Sequence, residues 1–193
     1  MKDKAKINKE EAVAEKPFTV RGEVYEWAQS LITALVICIL VFVFVFRLVD
    51  VVGDSMNNTL FHGDKMVVLD LPYTPKQGDI VVFRKDEYKP EALVKRVIAT
   101  EGQTVEIDFD KGIVYVDGVA LDEPYTADYT YIPIDFSGVQ TVPEGCVFVM
   151  GDNRNRSTDS RKAEIGMVDT RLIIGKVVFV LFPLDRIGSP YGG

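Results

Sequence analysis

The sequence predicts a mainly-β domain, a barrel or sandwich, carried on one N-terminal transmembrane helix. Three observations predict it. Ala28 to Phe46 is a run of 19 residues without a charge. From residue 48 onward the chain consists of short Val, Ile and Phe runs broken by Gly, Pro and Asp, as strands and turns are. Outside the apolar run no long helical period occurs, and the sequence has no internal repeat.

The elements follow in order. Residues 1–24 are polar and charged and read as a cytoplasmic tail. The first 26 residues hold six basic and six acidic side chains, so this end is neutral. Residues 25–47 form the anchor. At 1.5 Å per residue its 19 uncharged residues cover roughly 28 Å, close to the thickness of a bilayer core. Tyr25 and Trp27 stand at one edge and Arg47 at the other, where interfacial residues belong. A buried core helix is shorter and amphipathic. A cleaved leader has a shorter apolar run followed directly by a small-x-small site. Here Arg47 and Asp50 intervene, and the nearest such triplet is Gly53-Asp54-Ser55. In the 20 positions before the span stand three basic residues (Lys9, Lys16, Arg21), and in the 20 after it two (Arg47, Lys65). That margin orients a single-pass cell-membrane protein with its N-terminus cytoplasmic and its larger part outside.

Residues 48–193 form the extracytoplasmic β-rich domain. Expected strands are Lys65–Leu69, Asp79–Arg84, Leu93–Thr100, Thr104–Asp108, Ile113–Val116, Val119–Leu121, Val147–Met150 and Gly175–Phe182. Val116-Asp117-Gly118-Val119 predicts a tight hairpin, because Asp-Gly supplies the two positive φ angles of a type I′ turn.

Composition narrows the function. A net charge of -7 argues against a nucleic-acid partner, which needs a basic face. Of the two cysteines, Cys38 lies inside the apolar span and Cys146 far from it, so no disulfide is expected. With His62 as the single histidine, no metal and no cofactor is expected either.

Three segments carry candidate chemistry. Gly53-Asp54-Ser55-Met56 places a serine just past the span; such a serine also suits a plain turn. In Ala92-Leu93-Val94-Lys95-Arg96-Val97-Ile98-Ala99, strand alternation puts Lys95 on one face with Leu93, Val97 and Ala99. Burial among apolar neighbours disfavours the ammonium form and yields a neutral amine able to act as a base. An edge-strand lysine that discourages aggregation fits the same spacing. Met150 to Arg161 is a polar loop dense in Asp, Asn, Arg and Ser. It is not a calcium loop, because Arg154 and Arg156 occupy the third and fifth positions where oxygen ligands belong.

Together these segments resemble type I signal peptidases, from the anchor to near the C-terminus. Ser55-Met56-Asn57-Asn58-Thr59-Leu60 resembles the family's Ser-Met-x-Pro-Thr-Leu box. Gly78-Asp79-Ile80-Val81-Val82-Phe83 resembles its second box, and Lys95-Arg96-Val97-Ile98-Ala99 with Gly102 its lysine box. Gly151-Asp152-Asn153-Arg154 through Ser157, Asp159, Ser160 and Arg161 resembles the last box. Asn58 replaces the family proline, and Gln103 replaces an aspartate. The short stretch between Lys95 and Gly151 is similar to the compact, Gram-positive-like members.

The resemblance implies a serine endopeptidase that removes signal peptides from exported pre-proteins after a small-x-small motif. Ser55 would be the nucleophile and Lys95 its general base. Ser157 would hydrogen-bond and orient the lysine, and Asp159 and Arg161 would form a structural pair nearby. The Ser55 N–H would serve the oxyanion. Gly53 stands where some members supply a second donor through a hydroxyl, so that donor is missing. Val52, Met56 and Val94 are the candidate substrate contacts, in shallow apolar pockets. The partners implied are pre-protein signal peptides and the lipid bilayer. Two other readings use the same chain. One is a hydrolase with His62 as base, oriented by Asp50, Asp54 or Asp64. The other is a membrane-tethered β domain that only binds peptides.

Overall fold

A computed structural model describes residues 20–85 and 87–191. The expected tail at residues 1–24 lies, up to residue 19, outside the described residues. The chain divides between Leu40 and Val41 into two units. The first is the body of helix α1, Val20–Val45. Within it Gly22–Val45, 24 residues, is long and apolar enough to cross a membrane. Its Val, Ile and Phe side chains are modest helix formers in water. In lipid, where each backbone group must be satisfied within the segment, the helix is the favoured form.

Among the described residues the second unit has eleven strands: β1 Phe46–Asp50, β2 Lys65–Leu69, β3 Ile80–Lys85, β4 Lys89–Thr100, β5 Thr104–Asp108, β6 Ile113–Val116, β7 Val119–Ala120, β8 Gln140–Thr141, β9 Cys146–Met150, β10 Val168–Asp169 and β11 Ile173–Phe182. Seven of them form one antiparallel sheet in the order β1-β2-β11-β3-β4-β9-β10, and four form a second in the order β7-β6-β5-β8. The mainly-β expectation holds, but neither sheet closes on itself, so the barrel alternative is corrected. The larger sheet ends on β1 at one edge and on the two-residue β10 at the other.

Burial explains the sequence patterns. In β3 both faces are covered: Ile80 and Val82 pack with Met56, Leu60 and Met66, while Val81 and Phe83 pack with Val97, Val149 and Ile165. A strand buried on both sides reads as a continuous apolar run, as Ile80-Val81-Val82-Phe83 does. In β5, Val105 and Ile107 are buried and Glu106 is exposed. This face of the small sheet packs against Ile98, Ala99, Phe148 and Met150 of the larger one. The Val116–Val119 hairpin forms as expected, with Asp117 at φ 51° and Gly118 at φ 76°.

Three strands were not foreseen. Phe46 and Arg47, expected at the anchor's end, begin β1, and Arg47 pairs with Asp70. β8 and β10 span two residues each, too few to show an alternation.

Candidate active site

Ser55 sits in the turn between β1 and β2, entered through Gly53 at φ +95°. The turn is folded on itself: the Met56 carbonyl accepts the N–H groups of Thr59 and Leu60, each at 2.9 Å. Met56 and Leu60 plug it into the core. The polar loop after β9 ties it from outside. The backbone N–H of Asn153 donates to the Ser55 carbonyl and its side-chain amide to the Asp54 carbonyl, both at 3.0 Å.

Lys95 lies on β4 opposite Val81 and is 2 % exposed. Its Nζ is 2.7 Å from Ser55 Oγ and 2.8 Å from the Val94 carbonyl. Burial pushes its pKa down to about 8; Asp159 and Asp152 oppose that shift, and Lys89 adds to it. The next residue, Arg96, pairs with Asp152 at 2.6 Å, and Asp152 also accepts the Thr59 hydroxyl. The lysine strand, the polar loop and the Ser55 turn are therefore cross-linked around a buried ion pair.

Asp159 and Arg161 form the expected pair, with Nε–Oδ1 at 2.8 Å and Nη2–Oδ2 at 2.9 Å. Arg161 also donates to the carbonyls of Ile132 and Arg154, and Asp159 accepts the Gly151 N–H at 3.1 Å. Ser157 departs from expectation. It is buried, but its Oγ has no hydrogen-bond partner among the described residues. The bond to Lys95 is not made; the amine donates to Ser55 Oγ and the Val94 carbonyl. Ser157 is nevertheless at the site. A Cβ on Gly151 would come within 2.2 Å of Ser157 Oγ and 2.4 Å of the Ser55 carbonyl oxygen, so only glycine allows this approach.

Of the expected substrate contacts, Val52 is exposed and Val94 half-buried. Met56 is 1 % exposed and packs in the core. The Gly53 N–H donates to His62 Nδ1 at 3.2 Å. His62 is thus bonded beside Ser55 and not to it, and two of its proposed orienting acids are engaged elsewhere: Asp50 with Lys65 and Asp64 with Arg186. Two features escaped the sequence reading. The Tyr125 ring lies 3.9 Å under the Arg96 guanidinium, and Glu123 pairs with buried Arg154. Neither lies in a patterned segment, and no local spacing announces a contact across about 30 residues.

The family model described as signal peptidase, peptidase S26, matches residues 24–182. The chain belongs to the signal peptidase family. It is 36% identical over 184 residues to a signal peptidase I of Bacillus licheniformis, covering 90% of this chain and 96% of that one. It is 40% identical over 169 residues to a probable signal peptidase I-1 of Synechocystis, covering 82% and 83%. A solved signal peptidase I from Enterococcus faecalis shares 31% identity at a TM-score of 0.45, with 58% of this chain and 100% of that chain covered. The chain is therefore a peptidase of this family, with an N-terminal apolar helix consistent with membrane anchoring.

Proposed function

We propose that the protein removes N-terminal signal peptides from exported pre-proteins, cutting after a small-x-small motif, with Ser55 as nucleophile and Lys95 as general base. The observation that carries this reading is the 2.7 Å approach of a buried lysine amine to a serine hydroxyl. Neutral Lys95 takes the proton of Ser55 Oγ as the oxygen attacks the scissile carbonyl. The resulting ammonium gives that proton to the leaving amine, and the acyl group stays on Ser55. Water, deprotonated by the same amine, then releases the acyl group and restores the serine. The Ser55 N–H serves the oxyanion. Ser157, Asp159 and Arg161 support the site, the last two by holding its loop rigid.

The same proposal covers topology. Residues 25–47 anchor the chain in the cell membrane, 1–24 face the cytoplasm, and 48–193 form the extracytoplasmic peptidase domain. Substrate then meets Ser55 only a few residues beyond the anchor, on the side to which leaders are exported.

The test is cleavage of a leader-bearing substrate by the detergent-solubilised protein. Wild type cuts after the small-x-small site; Ser55→Ala and Lys95→Ala each abolish cutting while the fold persists. The double variant is as inactive as either single one, because the two groups act as a unit. Near-normal turnover by Ser55→Ala or Lys95→Ala overturns the mechanism.

A further inference from the structure

Beyond β11 the chain doubles back. Gly188 bridges Val180, with N–H···O distances of 2.8 and 3.1 Å. Leu184–Tyr191 then forms a strap tethered at two further points. Arg186 donates to the Asp64 carboxylate, and its guanidinium lies 4.4 Å from the Phe61 ring centroid. Asp64 accepts the Phe61 N–H on its side chain and the Val51 N–H on its carbonyl, both at 2.8 Å. Val51 and Phe61 bracket the Ser55 turn, so this tether grips both ends of it.

The other tether is Tyr191. The pairing of β3 with β11 stops at Val81 opposite Lys176; the next pair in that register would be Ile80 opposite Val177. At that position the Tyr191 hydroxyl accepts the Ile80 N–H at 3.0 Å and donates to the Val177 carbonyl at 2.7 Å. One side-chain oxygen therefore replaces a ladder hydrogen bond and spaces the two strands. On its other edge β3 pairs with the lysine strand, Ile80 opposite Arg96 and Val81 opposite Lys95.

Packing alone does not fix these parts. Cavities of about 360 and 370 Å³ are each lined by Asn58 and Thr59 of the Ser55 turn and by Ser189 and Pro190 of the strap. Where side chains leave such space, discrete bonds set the geometry.

We infer that Tyr191 is a positioning residue for the Ser55–Lys95 pair: its hydroxyl sets the spacing of β3 and β11 beside the lysine strand, and the strap couples that spacing to the Ser55 turn. The inference rests on the dyad reading above. Without the hydroxyl, the Ile80 N–H and Val177 carbonyl lose their shared partner and the strands draw together. The shift passes through the β3–β4 ladder to Lys95, and small misplacements of reacting groups slow catalysis steeply.

The experiment uses the full-length, detergent-solubilised Tyr191→Phe protein. Expected is a fall in kcat of roughly tenfold, with KM held within about twofold. Asp117→Ala serves as the reference for plain destabilisation, since it loses the Asp117 bonds to Thr104 and Gln103 in the small sheet. Wild-type kcat in Tyr191→Phe, or a loss no greater than in Asp117→Ala at matched Tm, overturns the inference. Should Tyr191→Phe not fold, Arg186→Gln decides: the same kcat-selective loss supports the strap, and wild-type kcat overturns it. Ser55→Ala is assayed alongside. If it still cuts, the dyad falls and takes this inference with it; if it is inactive while Tyr191→Phe is unaffected, only this inference falls.

Discussion

The Asp152 carboxylate grips the Arg96 guanidinium side-on, Nε to Oδ1 at 2.8 Å and Nη2 to Oδ2 at 2.6 Å, with both side chains almost wholly withdrawn from solvent. The Arg96 ring partner Tyr125 and the Thr59 hydroxyl complete the arrangement. Deleting one member of a buried pair strands the other charge. Arg96→Ala therefore destabilises by about 3–5 kcal/mol, seen as a lowered denaturant midpoint. Below its unfolding transition the variant still cuts, because Arg96 is not bonded to the reacting groups.

With Lys95 as the proposed base, its deprotonation is expected to set the acidic limb of activity. Its pKa in the free protein is lowered to about 8, chiefly by burial. Below that value the amine is charged and cannot accept the serine proton, so kcat/KM falls about tenfold per pH unit. A histidine base would place the limb near ~6.5 and level the rate by about pH 8. The pH–rate profile of wild type beside His62→Ala separates the two. Both proteins show the limb near 8; a profile flat above pH 7 with an inactive His62→Ala protein defeats the lysine assignment.

The same burial makes Lys95 a cost to the fold. The native state binds its proton less tightly than the unfolded chain does. The penalty is complete below the native pKa of about 8 and fades as pH rises toward the ordinary value of 10.5. Lys95→Met, which keeps the chain length without the charge, is inactive but more stable at pH 7, by on the order of 1–3 kcal/mol. The gain shrinks as pH rises from 8 toward 10.5. Thermal melts at pH 7 and pH 10 read both halves of the expectation.

Gly151→Ala places a methyl group 2.4 Å from the Ser55 carbonyl oxygen and 2.2 Å from Ser157 Oγ. Ser157 Cβ, at 2.6 Å, cannot turn away as its Oγ can, so the backbone at Ser157 and at Ser55 must move. Turnover falls roughly 100-fold, with a smaller loss of Tm; single-turnover cleavage at saturating substrate measures the chemical step directly.

The fold was legible where burial is one-sided or fully two-sided. Val105-Glu106-Ile107 alternates and Ile80 to Phe83 is continuous, and both were assigned as strands. β1 was not, because its Phe46 continues the apolar composition of the helix before it. Ser55 and Lys95 were named from the boxes that resemble the family's. Ser157 shows the limit of such transfer. Its position beside the site was foreseen, but the bond to Lys95 that the box implies is not made. Met56 shows another, since an apolar residue next to a reactive serine suits a pocket wall and a core plug equally well. Tyr191 lies outside every box, and only the interrupted β3–β11 ladder reveals it.

The position of β11 makes the larger sheet depend on a segment late in the chain. In the larger sheet the last strand is inserted between β2 and β3, so the halves bearing Ser55 and Lys95 are joined through a segment made after both. On the ribosome the first ten strands emerge with that gap unfilled, and contacts so distant in sequence form late. Until Ile173–Phe182 is made, β2 and β3 lack the strand that lies between them, and the larger sheet is complete only when that late segment is in place.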